Sequence, residues 1–157
     1  MPFGNTNLKG QRNIQRSARL TGTIGINIGL DLEMRQQNVR TKIAANPQQT
    51  IVQKKDLEAS RRKLAKLLDN WTSNLSDFMP SDALQEIERP YSLPEEETLR
   101  LPSDFEHKDQ ERLGLKELAE IEYQLRIGVA YDALNKLRNA LGLKSFLVRR
   151  KRSLASG

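Results

Sequence analysis

The feature that most constrains this chain is a seam of six large apolar residues, Leu57, Leu64, Leu68, Trp71, Leu75 and Phe78, spaced 7, 4, 3, 4 and 3 apart. An α-helix gathers side chains at that interval onto one face, whereas a strand scatters them over both. Charged residues, among them Lys54, Lys55, Arg62 and Lys66, take the other faces. The helix is expected to end at Met79-Pro80, because proline lacks the backbone donor that the next turn needs. Such a heptad-like, coiled-coil-style seam has two uses. It can form the core of an intramolecular hairpin, or a groove for a second copy or a partner's helix.

Asn46-Pro47-Gln48-Gln49, just upstream, has the residue types of a helix start: a capping asparagine, a proline at the first helical position and a glutamine that can reach back. Before it, Ile24, Ile26, Ile28, Leu30 and Leu32 alternate as in a strand, yet Ile28, Leu32, Val39 and Ile43 also fit a helical stripe. We read a helix over 28–45, so that 24–79 forms an antiparallel helical hairpin. Gly22, Gly25 and Gly29 lack the spacing of a phosphate-binding loop, and no Gly-Lys-Ser/Thr follows them. They read as a flexible approach to the helix. Residues 1–23, glycine-bearing and without an apolar period, read as a flexible basic arm.

Four of the six prolines (Pro80, Pro90, Pro94, Pro102) fall in 80–102 beside Glu95-Glu96-Glu97, which predicts a proline-rich acidic linker with the glutamates solvated. Ser103-Asp104-Phe105-Glu106 has the form of a capping box and opens a third helical region, 103–147. Its apolar pattern uses Leu118, Ile121, Leu125, Val129, Leu134, Leu137 and Leu141. Gly114 and Gly128 are candidate kinks and Gly142 a candidate end, followed by a basic tail over 148–157. The fold expected is all-α: a helical hairpin with a long, kinked third helix packed on it, as an elongated molecule or small bundle.

Composition narrows the chemistry. The 157 residues include no cysteine, which removes disulfides, thiolate metal sites and thiol nucleophiles. The single histidine, His107, lies between Glu106 and Asp109, has no second histidine to share a metal, and reads as a solvated side chain. No Gly-x-Ser-x-Gly frames a serine nucleophile. The most apolar window, 24–32, is too short and too interrupted to cross a bilayer. We therefore expect no enzyme activity, no catalytic residue, no metal, no cofactor, no membrane association and no small-molecule substrate.

What remains is contact. The net charge of +6 hides a basic–acidic–basic layout: +8 over 1–76, −9 over 77–122 and +7 over 123–157. That pattern suits self-association as well as nucleic-acid binding. Arg149-Arg150-Lys151-Arg152 fits a phosphate backbone or the acidic groove of a nuclear-import receptor, and Arg61, Arg62 and Lys63 add a second basic cluster. A nuclear or cytoplasmic location is expected, the nucleus being favoured.

Within the third region, three blocks resemble a known family: Leu101-Pro102-Ser103-Asp104-Phe105, then Arg112-Leu113-Gly114-Leu115, then Glu122-Tyr123-Gln124-Leu125-Arg126-Ile127-Gly128-Val129-Ala130-Tyr131-Asp132-Ala133-Leu134 with Leu137-Arg138. Together they resemble the C-terminal part of fungal Kyakuja-Dileera-Zisupton transposase-type proteins, and the helix from Arg61 through Trp71 to Phe78-Met79-Pro80 is similar to the region before it. The resemblance spans roughly 28–147. Ile127 and Val129 depart from it, standing where the family block has polar residues. It implies a parent transposase whose metal-dependent, RNase H-like core lies upstream of these blocks, so no catalytic residue carries over. The chain is then expected to be a non-catalytic helical fragment of a transposon-derived protein, acting in self-association or nucleic-acid contact. The alternative is a helical adaptor that binds other proteins through the heptad-like seam.

Overall fold

The computed structural model describes residues 6–85 and 92–155, with side chains described over 14–85 and 92–153. The regular structure among them is all-α: α1 (Thr6–Ala45), α2 (Ile51–Asn74), α3 (Ser81–Gln85), α4 (His107–Arg112) and α5 (Lys116–Ala155). Short 3-10 turns occupy Leu75–Asp77 and Pro102–Asp104. The chain divides into two compact units, Met1–Glu122 and Tyr123–Gly157.

The first unit is built on the expected hairpin, with a longer first arm. α1 begins at Thr6, so the segment read as a flexible arm is helical from there on. No proline lies between Pro2 and Pro47, so nothing forbids the helix. Glycines at 22, 25 and 29, each costing about 1 kcal/mol in a helix interior, are compensated by close packing. They fall on one helical face. An added Cβ at Gly22 would meet Leu118, at Gly25 the Phe78 ring, and at Gly29 both Leu101 and Trp71. The alternation of isoleucines is thus helical after all: Ile26, Leu30 and Leu32 are buried, while Ile24 and Ile28 are exposed.

The turn also differs in register from the sequence reading. Asn46 closes α1, its N–H bonding to the Ile43 carbonyl at 3.3 Å, rather than capping α2. The α2 cap is Thr50: its hydroxyl accepts the Gln53 N–H at 3.3 Å, and the Gln53 side chain accepts the Thr50 N–H at 2.9 Å. This reciprocal pair satisfies two donors that a helix start leaves without partners.

Of the expected linker, Ser81–Gln85 is the short helix α3 and 92–102 is a packed strap, while 86–91 lie outside the described residues. Leu99, Leu101, Pro102 and Glu95 are all buried. Irregular backbone has no ladder to satisfy its carbonyls, so donors must come from side chains. The hairpin supplies them. Gln36 donates to the Pro94 and Glu97 carbonyls at 3.0 and 2.7 Å, Arg40 to Glu95 at 2.7 Å, and the Trp71 indole to Leu99 at 3.0 Å.

Ser103 has a different partner from the one its capping-box sequence predicts. Its N–H and hydroxyl both bond the Glu122 carboxylate, at 2.9 and 2.6 Å. Glu122 is 1% exposed, and a buried carboxylate needs donors more than a short helix needs a cap. α4 instead starts at His107 behind Glu106. Gly114 adopts φ +69°, the left-handed conformation that closes α4 and admits α5; the predicted break is real at this glycine. Gly128 and Gly142 lie inside α5, which continues to Ala155.

The second unit, taken by itself, is helix. Residues 123–155 of α5 form it, and they include the segment read from sequence as a basic tail. No helix among the described residues is long and apolar enough to cross a membrane.

Candidate contact surface on the second unit

The surface of the second unit follows from helical geometry, in which successive residues turn by about 100°. Tyr123, Ile127, Ala130, Leu134, Leu137, Leu141 and Val148 lie within about 60° of a common line, at intervals of four and three interrupted only at Lys144. The third-helix pattern drawn from sequence mixed two faces. Leu125 and Val129 fall more than 100° from this line, because five residues separate Val129 from Leu134.

These side chains are not core. Leu134, Leu137 and Leu141 are 57%, 56% and 56% exposed, Tyr123 and Val148 are exposed as well, and Ile127 is half-buried; off this line Tyr131, Val129, Leu143, Phe146 and Leu147 are also exposed. Leu118 and Ile121, in the part of α5 that belongs to the first unit, are half-buried and buried. Beyond the stripe, Arg149, Arg150, Lys151 and Arg152 occupy one turn of α5 and point around its whole circumference, all exposed. Of these, Arg152 lies in the last turn of α5, where a cation suits the negative end of the helix dipole.

The other residues singled out from sequence lie in the first unit. The seam is intramolecular core but outruns α2, which ends at Asn74 rather than at Met79-Pro80: Leu64, Leu68 and Trp71 are buried on α2, Leu75 is buried in the 3-10 turn that follows, and Leu57 and Phe78 are half-buried. Trp71 stacks obliquely on Phe78 with ring centres 5.7 Å apart; α1 comes close to Phe78 at Gly25 and to Trp71 at Gly29, and the strap meets Trp71 through the Leu99 carbonyl. These side chains are thus packed within the first unit.

Arg61 is also committed. Its guanidinium grips Glu95 through Nε at 2.9 Å and through Nη2. That hydrogen bond raises the Arg61 pKa above its ordinary value, outweighing the opposing effect of burial, with Glu95, Glu96 and Glu58 adding electrostatic support. Glu95, expected to be solvated, is 2% exposed. Its exposed neighbour Glu96 fits the expectation, and Glu97 is half-buried. Arg61 is thus removed from the basic cluster, while Arg62 and Lys63 remain exposed on α2.

His107 is an exposed residue at the start of α4. Among the described residues no group of three His, Cys, Asp or Glu could hold a metal ion. One groove, about 570 Å³, is lined by Ile14, Ser17, Thr21, Phe78 and their neighbours, with Asp77 its one titratable side chain. A lone carboxylate offers no acid–base pair. The sequence reading missed the glycine face of α1, the strap's buried glutamate and the true line of the stripe. Only the 3 and 4 spacing of Gly22, Gly25 and Gly29 could have revealed the first.

Comparison of the chain with protein-family models, curated proteins and solved structures finds no match.

Proposed function

We propose that this chain is a non-catalytic helical portion of a transposon-derived protein, and that it acts by contact with nucleic acid through the end of its second unit. The observation that carries the contact is the exposed turn Arg149-Arg150-Lys151-Arg152, within a segment, 123–157, holding eight basic side chains against one acidic. The transposon origin rests on the sequence resemblance over roughly 28–147. Phosphate contacts by such a turn are sequence-independent and work by releasing counterions. The same cations would fit the acidic groove of a nuclear-import receptor, which favours a nuclear over a cytoplasmic location.

The test is duplex DNA binding as a function of salt. Four phosphate contacts give a log–log slope of about −3.6, or roughly a 150-fold loss of affinity between 50 and 200 mM salt. Replacing Arg149, Arg150, Lys151 and Arg152 together by glutamine is expected to flatten that slope toward zero. Binding that is absent, or that ignores both salt and the substitution, refutes the nucleic-acid reading.

A further inference from the structure

We propose that the side of the helical hairpin turned away from the strap is a docking groove for an acidic amphipathic helix of a partner protein. The strap engages one side only, through Gln36, Arg40 and Arg61. Lys63, two residues beyond Arg61 and so about 200° round α2, belongs to the other side. There α1 and α2 leave an open groove of about 200 Å³. Its floor is Val39 and Leu64, both buried, and its rim carries Arg35 and Lys42 from α1 with Lys63 and Leu67 from α2.

The helical period carries this side beyond the groove. Ile24, Ile28, Asp31 and Arg35 follow one another along α1 at steps of 4, 3 and 4, and so share a row that reaches Lys42 a further seven residues on. Toward the contact of Gly29 with Trp71 the surface is apolar, with Ile24, Ile28 and Leu67 54%, 46% and 38% exposed. Met34, also exposed, stands about 100° round α1 from Arg35 and outside the row. Toward the hairpin turn the surface is cationic. Asp31 is taken by Arg35 at 2.7 Å, and Asp56 lines the adjoining pocket. Among the described residues Lys42 and Lys63 have no ion pair.

Cations over an apolar floor select an occupant that offers both carboxylates and apolar side chains. A phosphate backbone would satisfy the lysines but leave Val39, Leu64 and Leu67 against water, and no aromatic side chain lines the groove to stack a base. An acidic amphipathic helix sets its apolar stripe on Leu67 and Ile28 and its carboxylates over Lys42 and Lys63. The row from Ile24 to Lys42 spans about 27 Å, or about five helical turns.

The site lies in the first unit and stands apart from the nucleic-acid reading. It is tested on the full chain with Arg149, Arg150, Lys151 and Arg152 replaced by glutamine, so that the basic turn takes no part. The probe is a labelled 18-residue helical peptide with leucines at every third or fourth position flanked by glutamates, followed by fluorescence anisotropy. Binding is expected, and to weaken from 50 to 500 mM salt. Lys42→Gln and Lys63→Gln are each expected to weaken it about threefold, and Leu67→Asp about tenfold. Lys55→Gln makes the same charge change on the outer face of α2 and is expected to leave binding unchanged, as all three lysine variants should leave the Trp71 unfolding midpoint. No binding, equal binding of the same peptide with glutamines for its glutamates, or equal loss in Lys55→Gln overturns the proposal. So does displacement of the peptide by duplex DNA, which would make the groove a phosphate seat, or a dimer that Leu67→Asp dissociates, which would give it to a second copy.

Discussion

Replacing Gly29 by alanine should destabilise the first unit, although the same change in an open helix stabilises it. The helical gain is about 1 kcal/mol. Against it, the new Cβ would sit 2.6 Å from Leu101 Cδ2 and 2.8 Å from Trp71 Cη2, closer than carbon atoms approach. Neither neighbour can easily yield. Leu101 is 2% exposed and Trp71 4%, and the indole is held by its 3.0 Å bond to the Leu99 carbonyl. Overpacking of this kind costs about 1–3 kcal/mol, and two constrained neighbours place this site in the upper part of that range. The net expectation is a loss of about 1–2 kcal/mol. Trp71 is the only tryptophan and lies at the contact itself, so its fluorescence during urea unfolding reports this unit. With m near 1.5 kcal/mol/M, the midpoint should fall by about 1 M. Gly128→Ala is the control, since nothing lies within 4 Å of a Cβ there, and it should raise helicity without moving the Trp71 transition. If Gly29→Ala unfolds at or above the wild-type midpoint, the close approach of α1 to Trp71 and Leu101 is wrong.

Three further substitutions probe the strap and its junction. Glu95→Ala removes the carboxylate that Arg61 holds and should cost about 1–3 kcal/mol by urea unfolding, less than for a fully buried pair because the Arg61 side chain is 29% exposed. Because Arg61 is raised, its contribution is complete at every pH below the usual arginine range and is lost only in strong alkali. The arginine side of this cost should therefore be unchanged between mildly acid and mildly alkaline buffers. Trp71→Phe leaves the buried Leu99 carbonyl without its donor and should cost about 1 kcal/mol by circular dichroism, with the ring contact to Phe78 retained. Gly114→Ala forces an L side chain to φ +69° and should cost about 1 kcal/mol despite open space around it.

The sequence exposed the parts of this fold that depend on one helix at a time. The spacing from Leu57 to Trp71 reveals α2 because core burial repeats with the helical period, though it runs on through Leu75 and Phe78 past the helix end at Asn74, and Gly114 marks a break because a left-handed residue follows α4 there. What stayed hidden depends on pairs of elements distant in sequence. Glu95 looks solvated until Arg61, 34 residues away, is placed beside it. Ser103 looks like a cap until Glu122 claims both of its donors. Gly22, Gly25 and Gly29 look like flexibility because their role lies in what they leave out, room for Leu118, Phe78 and Trp71. The basic turn 149–152 was legible as a charge run, yet its helical state was not, since Gly142 resembles a stop when read alone.

The contrast between the units bears on where function resides. In the first unit the buried polar side chains Gln36, Glu95 and Glu122 all have partners inside the unit. The second unit keeps most of its large apolar side chains and the cations of 149–152 at the surface, with Arg126 and Ile127 half-buried. Helical stability in proteins comes mostly from burying an apolar face, and a helix without such burial is marginal in water. Residues 123–155 also carry two interior glycines, Gly128 and Gly142, each a penalty of about 1 kcal/mol. Amide hydrogen exchange over 123–155 is therefore expected to be faster than in α2. Gly128→Ala should slow exchange in the turns around it about fivefold, while exchange in α2 stays constant. Protection over 123–155 as strong as in α2 would mean that this helix sustains itself, and the thermodynamic contrast between the units would fail.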